Sequence, residues 1–197
     1  MAALSLGCSG KPAAIAPVAI SAGRAGEAAI AAYDRDGDGC LNDAELAAVP
    51  ALALYKEKYD ADNSGCISAG EIADRIASWR NQGVGLRTLA IDVLLDDRPL
   101  VGAEVRMIPE EYLGDGPQEA TGRTDASGTA KMSVAPEHLP EAARQARMLG
   151  VLGGTYRIAV SHPRIKLPQR YVDGAALGDE IARDTIGDRI VLKLASR

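Results

Sequence analysis

Oxygen-bearing residues recur in this chain at matched spacing in two places. Asp34-Arg35-Asp36-Gly37-Asp38-Gly39-Cys40-Leu41-Asn42-Asp43-Ala44-Glu45 and Asp60-Ala61-Asp62-Asn63-Ser64-Gly65-Cys66-Ile67-Ser68-Ala69-Gly70-Glu71 each run twelve residues. A loop of that length can turn side chains at positions 1, 3, 5, 9 and 12, with the carbonyl at position 7, onto one hard cation, and an all-oxygen set suits calcium. In the first loop these donors are Asp34, Asp36, Asp38, the Cys40 carbonyl, Asn42 and Glu45. In the second they are Asp60, Asp62, Ser64, the Cys66 carbonyl, Ser68 and Glu71. Gly39 and Gly65 fall at position 6, where the chain turns so sharply that a residue without Cβ is favoured. Solvated Asp-Gly turns are also acidic and glycine-containing. Turns alone do not repeat Glu at position 12, nor an apolar residue (Leu41, then Ile67) at position 8.

The two loops resemble a tandem pair of EF-hands, which implies two calcium ions and a short antiparallel bridge between Leu41 and Ile67. Loop one offers four carboxylates and loop two offers three, with hydroxyls at positions 5 and 9. Like charges at about 4 Å repel by about 1 to 4 kcal/mol per pair near a surface. Loop one, with more repulsion for a metal to relieve, is expected to bind calcium more tightly.

The elements that position the loops are expected to be helices. Glu27 to Tyr33 leads into loop one, Asp43 to Val49 leaves it, Ala51 to Tyr59 carries Leu52, Tyr55 and Tyr59 into loop two, and Ala69 to Arg80 leaves with Ile72, Ile76 and Trp79 as its apolar stripe. Pro50 suits a first helical turn. Gly83-Val84-Gly85 ends this pattern. Beyond it Leu89, Ile91, Val93 and Leu95 alternate, as do Val101, Ala103, Val105 and Met107, then Tyr156, Ile158 and Val160, and finally Ile190, Leu192 and Leu194. Thr121 to Asp125 and Thr129 to Val134 flank an Ala126-Ser127-Gly128 turn. These short alternating runs predict an antiparallel sandwich, with Pro136 to Leu149 as a helical or irregular insert.

Composition narrows the function. The chain has 197 residues, a net charge of −5 and no Phe. The acidic balance and the lack of basic clusters argue against nucleic acid, and no apolar run approaches the roughly 18 residues of a membrane span. His138 and His162 are isolated and read as surface or capping residues. With no Gly-x-Ser-x-Gly elbow, zinc spacing or phosphate loop, the chain reads as non-catalytic. Arg144, Arg147, Arg157, Arg164, Lys166 and Arg170 could gather an anion, although scattered surface charge is the simpler account.

Met1 to Gly10, with its Gly7-Cys8 junction, resembles the end of a bacterial lipoprotein signal. That likeness implies a lipid on Cys8 as the one membrane contact, and an exported protein, anchored in the cell envelope or secreted. Cys40 and Cys66 would lie diagonally across the bridge. Diagonal neighbours stand about 7 to 8 Å apart, slightly beyond the disulfide limit of about 7 Å. Two free thiols are therefore expected over a cross-loop disulfide.

Leu94 to Val105, Gly122-Arg123-Thr124-Asp125-Ala126-Ser127-Gly128 and Gly153-Gly154-Thr155-Tyr156-Arg157-Ile158 resemble the carboxypeptidase-regulatory-like, or transthyretin-like, domain. That resemblance implies a seven-stranded, non-catalytic sandwich. The expected fold is thus α+β in two domains. A leader spans 1–25, an all-α paired EF-hand domain spans 26–82, and an antiparallel β-sandwich of transthyretin-like or prealbumin-like type spans 86–197. The expected function is structural calcium binding, with the sandwich meeting an envelope protein or a polysaccharide. The alternative is a calcium-dependent sensor or docking module. Against it, sensors open a Met-rich groove, and Met1, Met107, Met132 and Met148 all lie outside the loop pair.

Overall fold

The computed structural model describes residues 19–83, 85–139, 141–185 and 187–197. The leader's expected lipid site, Cys8, lies outside them. Helix α1 (Ala22–Tyr33) is Ala-rich, which favours helix at little entropic cost. After loop one, α2 (Asp43–Leu46) starts from Asn42 and, after loop two, α5 (Ala69–Asn81) starts from Ser68. Each has a capping box closed by the loop's own Glu45 or Glu71. Between them Pro50 opens α3 (Pro50–Leu54), and α4 (Lys56–Tyr59) follows. The expected helix over Ala51 to Tyr59 is broken at Tyr55 (φ −114°, ψ 23°), whose hydroxyl donates to Asp179 at 2.7 Å. The helix expected from Asp43 to Val49 stops at Leu46.

Strands β1 (Cys40–Leu41) and β2 (Ile67–Ser68) pair antiparallel with Leu41 opposite Ile67, so the loops stand back to back. Seven of the eight remaining strands lie side by side. They are β3 (Leu89–Leu95), β5 (Glu104–Pro109), β6 (Ala120–Arg123), β7 (Thr129–Val134), β8 (Gly154–Ser161), β9 (Gly178–Ile181) and β10 (Arg189–Leu194), ordered β10-β3-β7-β6-β5-β8-β9. The eighth, β4 (Arg98–Pro99), folds back on β3 through Asp96 and Asp97, both at positive φ, in a two-residue hairpin turn. The insert is irregular, with a 3-10 turn at Pro136–His138 and a short helix α6 (Glu141–Gln145). Helix α7 (Gln169–Val172) lies between β8 and β9.

This arrangement overturns the expected fold class. An all-α loop domain followed by a transthyretin-like sandwich does not describe it. The chain builds one curled eight-stranded sheet, and of the seven α-helices among the described residues only α1 and α5 exceed five residues. The physical reason lies in pairings that alternation cannot reveal. Ala120 pairs with Val134 and Thr121 with Ser133, which joins β6 to β7 and makes two potential sheets continuous. The last strand adds parallel to β3, with Arg189 opposite Ala90. The loop segment itself contributes the β1–β2 ribbon.

One apolar core fills the curl of the sheet, including Leu89, Ile91, Val93, Val105, Met107, Met132 and Ile158. A second gathers Ala29, Leu41, Leu52, Ile67, Ile72, Ile76 and Trp79 with Tyr112, Leu113 and Ala182 from the sheet segment. Strand β8 shows the consequence, being buried at Thr155 and Ala159 as well as at Tyr156, Ile158 and Val160. Between the two cores lies a charged lock. Glu180, on β9, is 0% exposed. Its carboxylate accepts from the Tyr59 hydroxyl and, through both oxygens, from the Arg75 guanidinium. Arg75 also reaches Asp184 with two bonds of 2.9 and 3.0 Å. Those bonds hold Asp184 well below the usual range, at about 2.

Removing one partner of a buried pair leaves an uncompensated charge. Arg75→Ala is accordingly expected to cost about 3 to 5 kcal/mol in urea-induced unfolding. A loss below about 1 kcal/mol would show that Glu180 is not held by this arginine.

Candidate metal centre

Each loop is shaped first by its own amides. Asp34 accepts from the Gly37 and Gly39 amides at 2.7 and 2.9 Å, and Asp60 accepts from those of Ser64 and Gly65 at 2.9 and 3.0 Å. Asp36 takes the Asp38 amide at 3.2 Å and Asp62 that of Ser64 at 2.9 Å. These bonds require a sharp turn at position 6, and Gly39 and Gly65 have φ of +90° and +93°. A side chain there would be strained.

The glutamates at position 12 close the loops. Glu45 accepts from the amides of Arg35 at 2.7 Å and Asn42 at 2.9 Å. Glu71 accepts from those of Ala61 at 2.9 Å and Ser68 at 2.8 Å, and from the Ser68 hydroxyl. Amides donating to a carboxylate favour its charged form. The Arg35 and Asn42 amides hold Glu45 below the ordinary glutamate range. For Glu71, burial pushes upward but is outweighed by the Ser68 amide and hydroxyl, and the net shift is downward. Asp62 is also lowered, by the Ser64 hydroxyl and amide.

The carboxylate oxygens of Asp34, Asp36 and Asp38 lie within 4.8 Å of one another, as do those of Asp60, Asp62 and Glu71. Such groups of hard oxygen donors could hold a hard divalent cation, whose charge would offset their repulsion. The other expected ligands are engaged locally. Glu45 sits on loop amides apart from the three aspartates of its loop. Asn42 caps α2 through Ala44 N at 2.9 Å and donates to Asp36 at 3.1 Å. The Ser64 hydroxyl donates to the Cys66 carbonyl at 3.3 Å, and Ser68 is bound to Glu71.

Cys40 and Cys66 are joined by a disulfide, which corrects the expectation of two free thiols. Their Cα atoms are 5.7 Å apart rather than at the spacing of a flat diagonal pair. Two-stranded ribbons twist strongly, and that brings one diagonal of the β1–β2 ribbon within bridging distance.

The anchors of the loops are not marked by residue spacing. Each first aspartate is preceded by a tyrosine whose hydroxyl donates to a buried carboxylate of the sheet segment. Tyr33 reaches Glu110 at 2.9 Å, and Tyr59 reaches Glu180. Glu110 is 1% exposed, and burial raises its pKa above the ordinary value, while Arg157 stands 3.7 Å away. The legible signal was the repeated Tyr-Asp at the two loop starts. Their partners, 77 and 121 residues distant, carried none. His162 has a structural role, its Nδ1 accepting from the amides of Arg164 and Ile165.

Comparison of the chain with protein-family models, with curated proteins and with solved structures finds no match. The loop geometry therefore carries the functional argument by itself.

The disulfide closes a sequence separation of 26 residues, and by chain entropy it should contribute about 3 to 4 kcal/mol. Reduction is expected to lower the unfolding temperature and to release two thiols on titration. An unreduced protein that already shows two thiols at these positions would refute the bridge. The lowered carboxylates stabilise the loops fully above the ordinary glutamate value of 4.5. That contribution is lost as pH falls through their lower folded values. In an acid titration followed by circular dichroism, the Glu45→Gln, Glu71→Gln double variant should show a shallower loss of stability than the parent.

Proposed function

We propose that this protein binds two calcium ions in its paired EF-hand-type loops, and that calcium serves a structural role, stiffening the loop segment where it is seated on the sheet. The observation that carries this reading is the convergence of three carboxylates in each loop, within 4.8 Å in both cases. Asp34, Asp36, Asp38 and Glu45 would hold one ion and Asp60, Asp62 and Glu71 the other, with Asn42, Ser64, Ser68 and the Cys40 and Cys66 carbonyls supplying neutral oxygens. Bound calcium would supply positive charge that the carboxylates otherwise lack, and it takes part in no bond making.

A structural role is supported by where the loops are tethered. Tyr33 and Tyr59, one residue before each loop, are held by buried carboxylates, and the core beneath the loops is completed by Tyr112 and Leu113. A sensor needs a face that opens, and here that face is already packed. The disulfide accords with an oxidising compartment, and so with an exported protein of the cell envelope or its exterior. In this reading the sheet is a non-catalytic interaction module toward an envelope protein or polysaccharide.

Calorimetric titration of the whole protein with calcium should give two sites of micromolar affinity, with loop one tighter. Glu45→Gln should weaken the tighter site and Glu71→Gln the weaker. At a hundredfold excess over Kd, one site would stabilise the fold by about 2.7 kcal/mol. No heat below millimolar calcium, or heat unchanged in the double variant, would sink the proposal.

A further inference from the structure

The insert between β7 and β8 sends Leu139 and Ala143 into the sheet's core, and it also walls a cavity of about 550 Å³. That volume is typical of a small-molecule site. The walls are mainly apolar, formed by Val134, Ala135, Pro136, Leu139, Met148 and Leu149, and the polar lining consists of Thr121, Ser133, Arg144 and Arg147. Among the described residues no acidic side chain lines it. Met148 and Leu149 are 42% and 55% exposed, adjacent large apolar side chains that form a patch at the cavity. Methionine adapts readily to a guest of irregular shape.

The backbone fixes the position of Arg147 relative to Arg144. Helix α6 ends in a turn in which the Met148 amide donates to the Ala143 carbonyl at 2.9 Å and the Arg147 amide to that of Arg144 at 3.0 Å. This closure puts Arg147 at φ +51°, a position where glycine is the favoured residue. Glycine would close the turn equally well, so the turn by itself does not call for arginine. The side chain adds a second guanidinium three residues after Arg144 on the same cavity. Arg144 pairs with the exposed Glu141 one turn earlier, and Arg147 makes no ion pair among the described residues. Exposed pairs of this kind are weak and readily exchanged.

We propose that this cavity binds a single-chain amphiphile with an acidic head, such as a fatty carboxylate. The hydrocarbon would lie along Val134, Pro136, Leu139, Met148 and Leu149, and the carboxylate would sit between Arg144 and Arg147. Charge complementarity selects the occupant. Apolar walls alone would accept any oily molecule, whereas two guanidiniums without a carboxylate among the lining residues favour an anion. The site is independent of calcium.

The test is a calorimetric titration of the whole protein with dodecanoate, kept below its micelle concentration, beside dodecanol and the Arg144→Gln, Arg147→Gln variant. One dodecanoate per chain is expected, with binding weakened at least about tenfold both in the variant and for the uncharged alcohol. Both substitutions are on the exposed surface, and unchanged circular dichroism and calcium titration of the variant would show that its fold is intact. A second variant, Met148→Asp, adds a like charge to the wall and should weaken dodecanoate more than dodecanol. Absence of dodecanoate binding, equal binding by parent and arginine variant, or alcohol binding as tight as acid binding would each overturn the proposal. Retention of an acidic peptide without dodecanoate would overturn it as well.

Discussion

The arrangement of the whole molecule depends on one carboxylate, that of Glu180. It lies on β9 at zero exposure, where an unpaired charge would be prohibitive. Its compensation comes from the other segment of the chain, as the guanidinium of Arg75 and the hydroxyl of Tyr59. Because Arg75 sits on the helix leaving loop two and Tyr59 on the helix arriving there, the ion pair pins both sides of that loop to the sheet. The buried charges specify the docking geometry, since sliding one segment against the other would strand a charge. Tyr55 on Asp179 and Tyr33 on Glu110 extend the same logic along the contact.

The loops are held from within as well as from below. Amides satisfy the aspartates at position 1, glutamates at position 12 bind the loop's own backbone, and the Cys40–Cys66 disulfide joins the loops directly. A site preorganised this way loses little conformational freedom when a ligand arrives, which favours binding. Repulsion among clustered carboxylates opposes folding, and a divalent cation would remove that opposition. That balance is the physical basis of the structural role proposed for calcium.

How much could be read from the chain varies with the range of the interaction. Position-12 Glu and position-6 Gly were legible because they are local, the Leu41–Ile67 bridge because the loop pattern repeats, and the backbone has each in its expected place. Strand positions were largely legible from alternation at Leu89 to Leu95 and Ile190 to Leu194. Strand pairing was not. A period of two states which residues face the core, and it says nothing about whether β6 meets β7 or whether β10 lies parallel to β3. The approach of Cys40 to Cys66 was not legible either, because it depends on the twist of the two-stranded ribbon and not on its register.

The sequence by itself determined the local chemistry: two loops of oxygen donors, their turns, their caps and the run of alternating strands. These depend on neighbours within a dozen residues, where residue type and spacing suffice. Tertiary structure alone decided that the sheet is one curled body, that the cysteines meet, and that Tyr33 and Tyr59 find Glu110 and Glu180. It also decided that Arg144 and Arg147 face one apolar cavity with Val134 and Leu139. The sheet pairings, the disulfide and the tyrosine anchors join groups far apart in the chain, and the cavity forms where the insert folds back on β6 and β7. Their proximity is settled by burial of the cores and by the need to pair every charge that the burial traps.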